Sequence, residues 1–256
     1  MMARVLVTLL LVATAVPAAH ALDHKNLDEG RPLRLEDAYP VASGELALEV
    51  GAGFVVERRS ADRGVFAAEI LYGAFPNFQV GLGTELSTDP REIDKPIKSG
   101  DLQLSGLYNF NQETLSLPAL AAKLTLNFPT GVDSSGIDVE LKAIGTKSFD
   151  RLSLHLNVAY AFLSGTKARE RDGRYAIDLG ASYPIGAPRY TRTTLVGNLF
   201  TEQSAGRDES NAFGAEAGFR HQLTARTVLD AGLGSEFAGP GERSIFYVTA
   251  GLSMSF

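Results

Sequence analysis

The chain contains no cysteine, so neither a disulfide framework nor a thiolate metal site can be built from it. Tryptophan is absent too, and the four histidines show no metal-ligand spacing. No Walker, Rossmann or zincin motif occurs. No stretch of about 18 apolar residues exists beyond the N-terminal run, which excludes crossing a membrane with helices. Positive charge is in short supply: 24 Lys+Arg against 30 Asp+Glu leave a net charge of −6. That balance argues against nucleic acid as a partner. The hydrophobic share of 45% and mean hydropathy near zero would suit a soluble protein. They suit a membrane-spanning barrel equally, because its lipid-facing residues are diluted one-to-one by lumen-facing ones.

What is present is a period of two. The chain ends on RSIFYVTAGLSMSF, in which Phe246, Val248, Ala250, Leu252, Met254 and Phe256 alternate with Tyr247, Thr249, Gly251, Ser253 and Ser255. One face is apolar and the other small or polar, so this is a strand and not a helix. Its length matches the roughly 9–11 residues a tilted strand needs to cross a bilayer. Leu252, Met254 and the terminal Phe256 form the outward end expected of a signal for barrel assembly.

Residues 1–21 read as an export signal, with Arg4, an apolar run from Val5 to Val16 too short to span, and an Ala19-His20-Ala21 cleavage site. Residues 22–43 are polar, carry Pro32 and Pro40, and keep no period. They read as a periplasmic arm, with the barrel mouth as one place for it to lie. Residues 44–256 then supply about twelve alternating segments, close to Glu45–Arg58, Val65–Phe75, Phe78–Leu86, Asp101–Asn111, Leu120–Phe128, Ile137–Ala143, Leu152–Phe162, Tyr175–Tyr183, Tyr190–Glu202, Phe213–Arg220, Leu229–Leu233 and Phe246–Phe256. The ninth is the weakest, because Val196 and Phe200 fall on its polar face.

Connections after even-numbered segments are short (Phe75-Pro76, Gln112–Leu117, Ser148–Asp150, Gly186–Arg189, Gln222–Ala225), and those after odd ones are longer, such as Ser87–Gly100, Ser164–Arg174 and Thr201–Ser210. Outward aromatics sort into two heights, with Phe66, Tyr160 and Phe213 near one set of strand ends and Tyr72, Tyr183 and Phe219 near the other. Both features predict an all-β, antiparallel, up-and-down barrel of about twelve strands in the bacterial outer membrane, with both termini periplasmic. A secreted sandwich or lipocalin-like cup is the alternative. The expected partners are outer-membrane lipid and lipopolysaccharide, the barrel assembly machinery, and a small-molecule substrate that the sequence does not identify. No cofactor, metal site or catalytic group is expected.

The inward face carries Glu45, Glu49, Glu69, Glu85, Asp101, Gln103, Asp138, Glu140, Asp178, Glu216 and Asp230, together with Lys123, Lys142, His155, Asn157, Arg192 and Arg220. An Arg or Lys facing lipid at the midplane would cost about 2–4 kcal/mol, so these residues point into a lumen. Two readings stay open: a polar channel whose acidic excess favours cations or neutral solutes, and a salt-bridged plug that locks the barrel. Ser153, His155 and Asn157 share a face at a spacing of two. A barrel phospholipase also uses Ser, His and Asn, but there they face lipid in a different order, so the set reads as polar lining.

Three stretches resemble a known family. GDLQLSGLYNF (Gly100–Phe110), PALAAKLTLNFPTG (Pro118–Gly131) and EDAYPVASGELALEVG (Glu36–Gly51) are similar to the core of the outer-membrane transporters named for the meta pathway of phenol degradation. Asp101 and the Pro129-Thr130-Gly131 turn match that pattern. The resemblance implies a role in passing small, including aromatic, compounds across the outer membrane, and it carries over no catalytic or binding residue.

Overall fold

In a computed structural model, the described residues are 22–28, 30–57, 62–88, 97–132, 134–187, 190–239 and 245–256. The expected signal at 1–21 lies outside them, as do Arg58 and Arg189. The strands are β1 (Leu46–Glu57), β2 (Arg63–Phe75), β3 (Phe78–Thr88), β4 (Ile97–Asn111), β5 (Ala119–Phe128), β6 (Asp138–Phe149), β7 (Leu152–Phe162), β8 (Gly173–Ile185), β9 (Thr193–Glu202), β10 (Ala212–Thr224), β11 (Thr227–Ala238) and β12 (Ile245–Ser255). Each pairs antiparallel with its sequence neighbours, and β1 with β12, to give a closed barrel.

Alternation is what makes the strands and aims them. On β7, Leu152, Leu154, Leu156, Val158, Tyr160 and Phe162 are exposed on the outside, while His155 and Asn157 are buried within. In lipid no water can satisfy a free strand edge, so the ladder has to close on itself. It does so through β12, in a register from Ala47↔Ser255 to Glu57↔Ile245, with Leu252 opposite Val50 and Met254 opposite Leu48. The Phe256 N–H then donates to the Leu46 carbonyl (2.8 Å).

Several strands run past their expected ends. β4 begins at Ile97, β6 continues to Phe149 and β10 to Thr224. The added residues are rich in Gly, Lys, Ser and Thr, so pairing with a long neighbour and not apolar alternation holds them in the ladder. Two of the short turns therefore shrink to Asp150-Arg151 and Ala225-Arg226. Asn77 and Asp150 take the left-handed conformation that these tight turns require (φ 65° and 57°), which Asn and Asp tolerate best among non-glycine residues. The connections after even-numbered strands, which include the tightest turns, lie at the end holding Leu22 and Phe256, called here the terminal end; those after odd-numbered strands lie at the opposite, long-loop end.

The exposed outer face is the surface that lipid would cover. Leu156→Arg, placed near mid-height, is expected to lower stability by about 2–4 kcal/mol. Urea unfolding of the barrel refolded in lipid vesicles measures it, and the buried neighbour Asn157 supplies no compensating partner on that face.

Candidate functional site in the barrel lumen

Irregular backbone can sit inside a barrel only if its N–H and C=O groups find partners there. The arm meets that condition. It enters from the terminal end, climbs to Arg34 and returns to β1, so it fills the lumen instead of resting at its mouth. The Leu22 N–H donates to Ser255 Oγ (3.2 Å) and the His24 N–H to Gln222 Oε1 (2.8 Å). Higher up, the Glu36 N–H donates to Asn157 Oδ1 (2.7 Å), and Asn157 Nδ2 donates back to the Glu36 carbonyl (2.8 Å). The Ala38 N–H donates to Thr146 Oγ1 (3.0 Å) and Asn109 Nδ2 to the Ala38 carbonyl (2.8 Å). The Val41 N–H donates to Gln79 Oε1 (2.7 Å), and Thr249 Oγ1 donates to the Pro32 carbonyl (2.7 Å).

Charges on the arm meet opposite charges on the wall. Arg31 pairs with Glu49, Arg34 with Glu216 (3.2 Å) and Glu202 (3.3 Å), Asp28 with Arg220 (3.0 Å), and Glu36 with Lys123 (2.9 Å) and Lys142 (3.4 Å). The Arg34 guanidinium also stacks over the Phe200 ring, 3.7 Å from its centroid. Apolar contacts complete the seat. Leu22 and Val41 pack on Ala47, Leu71 and Val228; Ala38 and Tyr39 on Leu107, Ala119, Ala121 and Ile144; Leu27, Leu33 and Leu35 on Val196. At Gly73 a Cβ would run into the Ala42 carbonyl, and at Gly180 into the Leu35 side chain, so glycine lets the arm approach the wall there.

The predicted lumen residues therefore divide by what they touch. Lys123, Lys142, Asn157, Glu216 and Arg220 hold the arm directly. His155 supports it from behind, between Thr146 Oγ1 (3.1 Å) and Ser182 Oγ (2.9 Å). Asp230 is fully buried within electrostatic reach of Arg220, Arg31 and Asp28, and its carboxylate oxygens make no hydrogen bond. Asp178 is buried and accepts from Asn198 Nδ2 (3.4 Å). Glu69, Glu85, Gln103 and Glu140 instead line a cavity of about 300 Å³ bounded by β1–β6 and by Gly30 and Arg31 of the arm.

Asp101 and Asp138 belong to loop clamps at the long-loop end. Asp101 accepts from the Gly131 N–H (2.9 Å) and Ser134 Oγ (2.8 Å), and Asp138 from the Ser164 N–H (2.7 Å). Arg192 departs from its expected place on the wall. It precedes β9 and is exposed, beside Asp23, Lys25 and Arg151 in a recess of about 870 Å³ at the terminal end. Glu45 likewise sits just before β1, buried under the returning arm and not on the strand.

The Ser153, His155 and Asn157 set is committed elsewhere, with Asn157 on the arm, His155 between Thr146 and Ser182, and Ser153 on Ser148 (3.1 Å). Within that set Ser153 and His155 are not bonded to each other. Among the described residues no group of three or more His, Asp or Glu could hold a metal ion. Sequence reading missed the arm's own contribution: Arg31, Arg34, Glu36 and Asp37. A signal for it existed in the apolar residues stranded on the polar face, namely Leu71, Leu107, Ile144, Val196, Phe200 and Val228.

Asp37 ties the rising and returning limbs of the arm together, accepting from the Leu27 N–H (2.7 Å) and the Tyr39 N–H (2.8 Å). Burial pushes its pKa up to about 8; Asp28 and Glu36 add to the shift, and the two N–H groups oppose it. A carboxyl group whose folded pKa is raised binds a proton that the released arm would lose. The seat is thus predicted to weaken as pH rises from about 4, the unperturbed value, to about 8. His24, whose pKa burial lowers, acts in the opposite direction at the acid end. Asp37→Asn should flatten the fall above pH 7. Protease cleavage within residues 22–45, followed against pH, checks both the sign and the residue.

Asn157→Leu leaves the Glu36 N–H and C=O buried without partners, at about 1–3 kcal/mol for each group. Cleavage in the arm should become at least tenfold faster in this variant, while the barrel keeps its gel mobility.

A family model described as "Putative MetA-pathway of phenol degradation" matches residues 30–252. No curated protein matches the chain. Among solved structures, an outer membrane channel from Pseudomonas putida F1 superposes with a TM-score of 0.65 at 17% identity, covering 90% of this chain and 100% of that one. The NanC porin gives 0.61 at 12%, covering 81% and 98%. The translocator domain of the autotransporter NalP from Neisseria meningitidis gives 0.53 at 12%, covering 84% and 89%. At these identities the likeness establishes the fold, which is that of outer-membrane barrels.

Proposed function

The chain belongs to the meta-pathway phenol-degradation family over residues 30–252, a family of transport-associated barrels and not of enzymes, and on that premise we propose that it is an outer-membrane channel for small molecules whose lumen is closed at rest by its own arm. Its terminal end faces the periplasm, where the exported chain would leave its N-terminal arm free to insert. The solutes are small and include hydrophobic or aromatic compounds, in keeping with the family.

One observation carries this reading. The arm is held almost wholly by side chains, and the Ser43↔Gly73 bridge is where it joins the wall's ladder. Withdrawing it breaks no strand pairing in the barrel. It would uncover a wall in which Glu49, Glu69, Glu140, Asp178, Glu216 and Asp230 outnumber Lys123, Lys142 and Arg220. Such a lumen attracts cations and admits neutral solutes more readily than anions.

The same seating favours a second reading, a permanently closed barrel that serves as a structural or surface-binding module. Planar-bilayer conductance separates the two. The protein beginning at Leu22 should show little current, and deletion of residues 22–43 should give steady, cation-preferring current. Silence from both proteins would leave the closed module.

A further inference from the structure

The pair Lys123 and Lys142 is an unusual arrangement for a lumen wall. They stand directly opposite one another in the β5–β6 register, and both are buried. Like charges directly opposite on a sheet repel, and a buried ammonium requires a close counter-charge. Glu36 supplies it by placing one carboxylate oxygen on each lysine, at 2.9 and 3.4 Å. The Glu36 backbone does not depend on that contact, because Asn157 holds both its N–H and its C=O. The carboxylate is therefore a replaceable part of the seat. Lys123 also lines the 300 Å³ cavity, at whose rim Glu85 and Gln103 are exposed. Lys123 thus borders both the Glu36 carboxylate and the cavity, which the arm also lines through Gly30 and Arg31.

We propose that Lys123 and Lys142 form a carboxylate-binding site, occupied in cis by Glu36, for which a small organic monocarboxylate in the lumen cavity competes. Displacing Glu36 loosens the arm, so the carboxylate acts as a trigger for opening, distinct from the cations and neutral solutes that the uncovered wall favours. Charge sets the class of ligand. Glu36 presents one carboxylate to the two lysines, and a monocarboxylate replacing it leaves the charge beside them unchanged. A dicarboxylate would add a negative charge to a cavity that already holds Glu69 and Glu85. The inference rests on reading the arm as a removable closure, and its test does not depend on permeation.

Because the chain has no cysteine, a single Leu33→Cys places a unique thiol on the arm, at a side chain only 3% exposed. The rate of maleimide labelling of this otherwise intact protein, refolded in vesicles, reads release of the arm. Sodium benzoate should raise the rate about fivefold or more, the lower end of ordinary coupling between ligands. Phthalate should do less, and benzamide or sodium chloride at matched ionic strength should leave it unchanged. Lys142→Gln or Lys123→Gln in the same background should abolish the benzoate response. Glu36→Gln should label fast without any solute. Slow labelling that benzoate does not change, or an equal response to chloride, overturns the carboxylate site and leaves the closure standing. Fast labelling of Leu33→Cys with no solute and with Glu36 intact overturns the closure, and the inference with it.

Discussion

An irregular peptide inside a closed barrel has to have its backbone polar groups matched by the wall, and the rest of this structure depends on that. Each group left without a partner costs about 1–3 kcal/mol. Gln222, Asn157, Thr146, Asn109, Gln79 and Thr249 meet the arm's N–H and C=O groups one after another along its path. The polar face that gives the strands their amphipathic period thus has a second use, as the seat of the arm. Period two keeps lipid-facing residues out and, by the same geometry, aims amides and hydroxyls at the arm.

Ion pairs fix the register of that seat more than they stabilise it. A buried pair recovers little beyond its own desolvation, but breaking one by misplacement is costly. Arg31, Arg34, Glu36 and Asp28 each have a specific partner of opposite sign on a different part of the wall. A slip along the barrel would set Glu36 toward acids or Arg31 toward Lys123, which is why the arm takes one position. Asp37 then closes the loop on itself through Leu27 and Tyr39, and burial of that carboxyl makes the seat sensitive to pH.

The barrel was legible in the sequence because lipid imposes a strict rule on alternate residues. β7 and β12 follow it closely, and which of their residues face outward could be anticipated from pattern alone. The lumen obeys no such rule, since a polar residue there can face water, an ion partner or a buried peptide. Of the two residues that disturb the period of β9, Val196 packs on Leu27, Leu33 and Leu35, and Phe200 lies under Arg34. They were a trace of the arm that only the third dimension could interpret. Glu36 and Asp37 sit in a stretch without period, so nothing local in the sequence marks Glu36 as the group that meets β5, β6 and β7, or Asp37 as the one that ties the arm's two limbs together.

In the proposed channel the barrel carries its own closure, with a wall shaped around the closed state as much as around the path. The central claim is that the arm is seated within the lumen in the intact protein. Hydrogen exchange of residues 22–45, measured on the barrel refolded in lipid, tests that claim most directly. The account predicts that the amides of Leu27, Glu36, Ala38 and Val41 exchange as slowly as amides in β1 and β7. Exchange of those four at the rate of an unstructured peptide would contradict it.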